Sequence, residues 1–390
     1  MTRRSIREYA EAVRGRYLRS SKVMKTVILD EFVATTGLHR KAAIRLLNRR
    51  GRPVGRKSGR PRIYSLEAMA ALRVVWEATD RLCSKRFRPF VPELVGILKR
   101  KGELTVTEEA EIQLCRMSPS TIDRILRPWR RHGPRHGLGT TKPGTLLKNA
   151  IPVRTFSEWN ESKPGFLEVD LVAHCGDSAE GFYLTTLSAV DVATGWYEPV
   201  AVWGKGQDRV GGAVYDVRHR LPMPMLGLDS DNGGEFINHS LYDYCRRNNI
   251  TFTRSRSYKK NDSCHVEQKN WSVVRRTVGY DRFISKAAFK ALDDVYTCLR
   301  LYINFFQPVL KLVGKSRRGA KVRKVYDTAQ TPYQRLLKSE VLTEPKKREL
   351  AAIYAALNPV ILLKQIRQEV EHLWTLAEPS PGSIPVDLSR

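Results

Sequence analysis

The chain has 390 residues, with 68 Lys and Arg against 40 Asp and Glu, a net charge of +28 and an isoelectric point near 10.1. A charge of that size points to a polyanionic partner, because Lys and Arg displace counterions from phosphates. No apolar run long enough to span a bilayer accompanies it, and the six scattered cysteines form no Cys-x-x-Cys pair, so a membrane span, a zinc module and a disulfide framework are not expected.

Residues 1–60 hold 17 Lys or Arg against 4 Asp or Glu. This Arg-rich start lacks the apolar core of a signal peptide, so a cytoplasmic, nucleoid-associated protein is expected. Val23, Val27, Ile28, Phe32 and Val33 recur at helical spacing. Thr35-Thr36-Gly37-Leu38 breaks that helix, and His39 to Asn48 resumes it with Ala42, Ala43, Ile44, Leu46 and Leu47. Residues 1–50 therefore read as a helix-turn-helix domain whose second helix presents Arg40, Lys41 and Arg45 to DNA; an ordinary helical hairpin with a solvated basic face is the alternative.

Residues 51–65 form a basic linker in which Gly-Arg-Pro repeats at Arg52 and Arg60. It resembles an AT-hook, whose arginines enter the narrow minor groove of A·T-rich DNA; a solvated linker fits equally. Residues 66–130 read as a second helical, helix-turn-helix-like domain. Ser65 opens its first helix, Ser118 and Pro119 open its last, and Thr121 and Arg124 lie on the outward face. Residues 131–160 are a second basic linker, rich in Gly and Pro. His132 and His136 within it are separated by Gly133-Pro134 and suggest no metal site.

From 161 to 308 the pattern changes to strands alternating with helices. Strands are expected at 166–172, 182–190, 196–203, 225–230 and 250–253, and helices at 207–219, 235–248, 262–277 and 299–306. A meander followed by alternating helices and strands gives a mixed five-stranded sheet with flanking helices, an α/β class. Residues 309–390 form a basic, largely helical C-terminal region with a disordered tail. Lys311, Lys315, Arg317, Arg318, Lys321, Arg323 and Lys324 make its first part a phosphate-binding candidate, and Thr331-Pro332 is a helix start.

Three carboxylates stand out in this frame. Asp170 lies mid-strand, Asp231 opens Asp231-Asn232-Gly233-Gly234-Glu235-Phe236 at a strand end, and Glu267 lies on a helix with Asn270 three positions on. Thirty-five residues separate Asp231 from Glu267. Carboxylates on strand, strand end and helix suit two hard divalent cations and phosphoryl transfer on nucleic acid. Asp229 rivals Asp231, since residues two apart share a face of a strand. Glu168 shares the face of Asp170 in the same way and is a candidate for an auxiliary role. Asp191 and Asp262 have structural readings, as a turn residue and a helix cap.

Over roughly residues 160–310 this pattern resembles the DDE integrase/transposase superfamily, which includes retroviral integrases and bacterial insertion-sequence transposases. The resemblance rests on the Asp-Asn-Gly segment, the 35-residue spacing and the acid on a helix. It implies an RNase H-like core and the triad Asp170, Asp231 and Glu267 holding two Mg²⁺, with Mn²⁺ able to substitute. It also implies cleavage of double-stranded DNA at transposon ends, transfer of the 3′-OH ends into target DNA, and a homo-oligomer on that DNA. Lys269 and Arg275, on the helix of Glu267, are expected to hold the DNA end. The family often has Lys four residues after the Glu, where this chain has Trp271, and the N-terminal zinc module of retroviral integrases is absent. Two alternatives remain: a catalytically silent DNA-binding regulator of transposon origin, and an RNase H-like nuclease or resolvase.

Overall fold

The structure, a computed structural model, describes residues 1–48, 63–130, 163–255 and 263–379. The chain divides into two compact units, Met1–Ile63 and Tyr64–Arg390. Among the described residues no single helix is long and apolar enough to cross a membrane.

The first unit contains α1 (Arg3–Arg19), α2 (Lys22–Thr36) and α3 (Arg40–Leu47). Local chemistry sets each boundary. Thr2 and Ser21 cap the first two helices by accepting from Ser5 N and Met24 N. Gly37, at φ +68°, ends α2 in a left-handed conformation that costs glycine little. His39 then caps α3 through Nδ1. Ala10, Tyr17, Ile28, Leu29, Phe32, Ala43 and Leu47 form the core, with Tyr9 stacked on Phe32. Two helices with a break at Gly37 lie where the sequence reading expected them, and α1 precedes them.

The second unit begins with α4 (Leu66–Glu77), α5 (Ser84–Phe87), α6 (Val91–Arg100), α7 (Glu108–Arg116) and α8 (Pro119–Leu126). Ser65 and Ser118 cap α4 and α8, and Pro119 stands at the first turn of α8. These helices do not stand alone as the sequence reading had them. They share one apolar core with the sheet and the C-terminal helices. The Tyr302 hydroxyl donates to Ala78 O at 2.9 Å, Gln307 Nε2 to Thr79 O at 2.9 Å and Arg86 Nε to Pro308 O at 2.6 Å.

The sheet consists of β1 (Phe166–His174), β2 (Leu184–Asp191), β3 (Tyr197–Val202), β4 (Gly227–Ser230) and β5 (Thr251–Arg254), in the order β3-β2-β1-β4-β5. β1, β2 and β3 form an antiparallel meander, while β4 and β5 run parallel to β1. α9 (Gln207–Arg220) connects β3 to β4, and α10 (His239–Arg247) connects β4 to β5. Every residue of β2 and β3 is buried, as expected of strands covered on both faces. This is the mixed five-stranded sheet with flanking helices expected from the sequence, in the strand order of an RNase H-like fold.

α11 (Cys264–Lys269) leads into a π-helical turn at Asn270–Arg275, and α12 (Lys286–Phe306) follows. β6 (Leu312–Arg318) and β7 (Lys321–Tyr326) pair as a separate hairpin, where the sequence reading assigned no strands. α13 (Pro332–Leu337) starts with a capping box formed by Thr331 and Gln334. α14 (Glu344–Ala356) and α15 (Pro359–Thr375) complete the unit, α15 burying Leu362, Leu363, Ile366, Val370 and Leu373.

Candidate active site

Strand register creates the site. Parallel pairing sets Glu168 beside Asp229 and Val169 beside Ser230. One step further along the same register lie Asp170 and Asp231, the latter the first residue past β4. Alternation along each strand then gives two carboxylate pairs, 168 with 229 and 170 with 231, on a shared face.

α11 brings the third acid. Its N-cap residue, Ser263, makes no side-chain capping bond. Glu168 takes over that role from β1: its Oε2 accepts from the backbone N–H of His265 and of Val266, both at 2.8 Å. A carboxylate at a helix N-terminus satisfies orphan donors and complements the helix dipole. The bond fastens the start of α11 onto β1 and delivers Glu267, itself exposed, to the neighbourhood of Asp170.

The electrostatics show the convergence. Burial pushes the Asp170 carboxyl up to about 8, and the charges of Asp231 and Glu267 add to the effect. Hydrogen bonds from Leu171 N (2.8 Å) and Asn270 Nδ2 (2.6 Å) to its two oxygens oppose the rise. Asp231 is also raised, by burial, against a 2.9 Å bond from Gly233 N that closes the Asp-Asn-Gly turn. Asn232 ties this turn to the end of β5, donating to Ser255 O at 2.7 Å and accepting from Arg254 at 3.0 Å. The triad expected from the sequence is thus brought together from three elements.

Around it lie further acids. Glu168 is fully buried and pushed up to about 8, chiefly by burial and against the Val266 N–H. Its other oxygen, Oε1, has no hydrogen-bond partner among the described residues. Asp229 is buried and accepts from the Thr253 hydroxyl, so the rival second acid is held within the sheet. Glu235 was quoted in the motif but given no role by the sequence. Burial raises it and it feels the charge of Asp231, which places it at the edge of the cluster. Asp191 is structural, accepting from Gly165 N, Thr194 N and the Thr194 hydroxyl. Asp262 lies outside the described residues.

Two expected DNA contacts need correction. Lys269 is buried, not surface-borne: its ammonium lies 5.4 Å from the Tyr197 ring centroid, and burial pushes it down to about 7. Arg275 is turned inward, donating to Ala173 O at 2.8 Å and to Gly279 O, and lies over the Tyr280 ring. Trp271, by contrast, is 65% exposed. Arg40, Lys41, Arg45 and Arg124 are exposed on their helices, with Arg40 paired to Asp30. Arg52 and Arg60 lie outside the described residues.

The donor set can be tested against a cation. Glu168, Cys264 and His265 each offer one ligand atom within 4.8 Å of one another. That mixed set suits zinc; Oε2 of Glu168 is committed to two backbone N–H groups, which leaves Oε1 as its ligand atom. Asp170, Asp231 and Glu267 offer only oxygen, the donor that Mg²⁺ takes. Among the described residues they do not form so tight a set, and acids shared between two ions about 3.5–4 Å apart need not.

No family model matches the chain. It is 42% identical over 335 residues to uncharacterized protein y4rM of Sinorhizobium fredii, covering 84% of this chain and 94% of that protein. Among solved structures, the catalytic core domain of BIV integrase is 18% identical at a TM-score of 0.29, covering 45% of this chain and 95% of that one. The HTLV-2 integrase catalytic core domain in complex with magnesium is 14% identical at 0.29, covering 37% and 90%. A chain of the simian T-cell lymphotropic virus intasome, in complex with PP2A regulatory subunit B56 gamma, is 12% identical at 0.32, covering 64% and 76%.

Proposed function

We propose that this chain, which belongs to the family of uncharacterized protein y4rM of Sinorhizobium fredii, is a DDE-type DNA transposase of the insertion-sequence kind. One observation carries the reading: Asp170 on β1 feels the charges of Asp231, past the end of β4, and of Glu267 on α11. Three acids far apart in sequence have no structural need to converge, and their mutual repulsion opposes it. A polynucleotidyl transferase gives the convergence a purpose.

Asp170, Asp231 and Glu267 would hold two divalent cations, Mg²⁺ by donor chemistry. When bound, these supply positive charge at the attacking and leaving oxygens of the phosphodiester. The chain's own residues prepare the site. Asn270 and Leu171 N orient the Asp170 carboxylate. Glu168 fixes the helix that carries Glu267. The Asn232 bonds to Ser255 and Arg254 hold Asp231 in place. Arg40, Lys41 and Arg45 on α3 are the proposed contacts to transposon ends, and the working form is a multimer on DNA, since joining two ends to one target requires two active sites.

The test is strand cleavage and joining on duplexes carrying the element's own ends, with Mg²⁺ or Mn²⁺. Asp170→Asn, Asp231→Asn and Glu267→Gln should each abolish both reactions and leave end binding nearly intact. An active Asp231→Asn protein beside an inactive Asp229→Asn protein would move the second ligand to Asp229. Full activity of all three triad variants would end the proposal.

A further inference from the structure

The hairpin of β6 and β7 stands apart from the five-stranded sheet. Every residue of β7 is exposed, and every residue of β6 except Gly314, which is half-buried. Its root is anchored. Lys311 donates to Ala193 O, and its backbone N–H donates to Asp327 at 2.8 Å; Asp327 in turn pairs with Arg335.

The two strands carry Lys315, Arg317, Arg318, Lys321, Arg323 and Lys324 and no acid. Among the described residues none of the six pairs with a carboxylate. Their arrangement is costly. The register sets Lys315 opposite Lys324 and Arg318 opposite Lys321. Like charges directly opposite one another destabilise a strand pair, and a two-stranded hairpin is marginal to begin with. An anion between the side chains removes that cost.

Geometry says which anion. Opposed residues share a face, and faces alternate along a strand. One face of the ribbon therefore carries Lys315, Arg317 and Lys324, and the other Arg318, Lys321 and Arg323. A ribbon lying flat on one phosphate surface would use one face only. Cations on both faces suit a body inserted between two phosphate walls. The major groove of B-DNA, about 12 Å wide, admits a two-stranded ribbon, whereas the minor groove, about 6 Å wide, is too narrow. The major groove of A-form RNA is too narrow as well.

We propose that the hairpin Leu312–Tyr326 enters the major groove of duplex DNA and grips the phosphates of both walls. It contains no Asn or Gln to read adenine. Cations committed to phosphates carry no sequence information, so the grip tolerates any sequence, and the DNA it holds is target rather than transposon end. Only that last assignment rests on the proposed function; binding itself does not.

The experiment uses the full chain without metal, so that no catalysis is needed. Affinity for a random-sequence DNA duplex is measured against salt for the wild type and for a variant with all six residues changed to Gln. A second variant, Arg317→Lys, Arg318→Lys and Arg323→Lys, keeps the charge. With about 0.9 in log–log salt slope per phosphate contact, the Gln variant should flatten the slope by about 5. It should thereby lose roughly a thousandfold of the salt sensitivity between about 50 and about 200 mM. The Lys variant should keep the slope, and preference for end sequence over random DNA should not fall in either. An unchanged slope in a Gln variant that melts like the wild type overturns the proposal. So does a fall in oligomer mass without a change in slope, which would make the ribbon a contact between copies. An equal loss on duplex RNA overturns the groove placement. If the slope falls as expected but the wild type never cuts or joins DNA, the hairpin stands and the transposase reading fails.

Discussion

Cation binding at the carboxylate cluster should depend steeply on pH, and Asp170 sets the dependence. Burial, with the charges of Asp231 and Glu267, pushes its carboxyl up to about 8. Below that pH, without a cation, Asp170 holds a proton that must leave when a divalent ion binds. Each pH unit below about 8 then weakens the apparent affinity about tenfold, or about 1.4 kcal/mol. Between about pH 8 and about pH 6 the apparent Kd for Mg²⁺ should rise roughly a hundredfold, and above about pH 8 it should level off. The sign for folding is opposite. A carboxyl raised in the folded state stabilises it fully below the unfolded value of 3.8, and that contribution is lost as pH rises through about 8. Without cation the protein should therefore melt lower at alkaline pH, and Mg²⁺ should raise the melting temperature most there. Calorimetric titration in two buffers of different ionisation enthalpy counts the protons released. About one per binding event is expected at about pH 6 to 7, falling towards none above about 8. Asp170→Asn should abolish the release; Glu168, also raised to about 8, remains in that variant as the internal control. A Kd independent of pH over this range, with no proton released, would refute the reasoning.

Arg300 donates to both oxygens of Glu198, at 2.6 and 2.7 Å, and Glu198 is 1% exposed. Arg300→Ala strands that charge and should cost about 3–5 kcal/mol in urea unfolding; a loss under about 1 kcal/mol would mean water reaches Glu198. At Gly227 an added Cβ would lie 2.4 Å from Phe166 Cδ1. Gly227→Ala should therefore destabilise by about 1–3 kcal/mol and, by shifting β4, reduce cleavage further than stability alone explains, a difference read by assaying well below the melting temperature. The fragment Met1–Ile63, which has its own core, should fold alone and bind the element's ends. Changing Arg40, Lys41 and Arg45 to Gln should weaken that binding and lower its salt slope by about 0.9 per lost phosphate contact; no preference for ends over random DNA would place end recognition elsewhere.

The strands, and the elements that carry the three proposed acids, were legible because their signals are local. An apolar run around Asp170, a Gly-rich turn after Asp231 and a helical pattern around Glu267 each need only a few neighbours. The helix of α10 starts later than its pattern suggests, at His239, because Asn238 caps it by accepting from Leu241 N. What was not legible depends on partners distant in sequence. α1 buries Ala10 and Tyr17 against α2 and α3, and its many arginines hide that stripe. The helices over 66–130 look self-contained until Tyr302, Gln307 and Pro308 of the later chain meet them. Lys269 looks like a surface cation until Tyr197 on β3 is beneath it.

Glu168 shows most clearly why the site needed the fold. In sequence it duplicates Asp170: same strand, same face, an acid among apolar residues. The register puts it beside Asp229 and beneath the first turn of α11. There its Oε2 meets two N–H donors that the helix's own N-cap leaves to it. Like Asp170, it is pushed up to about 8. Burial is the chief cause, and a protonated carboxyl still accepts through one oxygen. The second acid, Asp229, is held by the Thr253 hydroxyl. Glu168 and Asp229 are thereby occupied with holding the sheet and helix together, and Asp170, Asp231 and Glu267 are the acids proposed for cations. Two residues of strand register separate the pair beneath the first turn of α11 from the pair formed by Asp170 and Asp231.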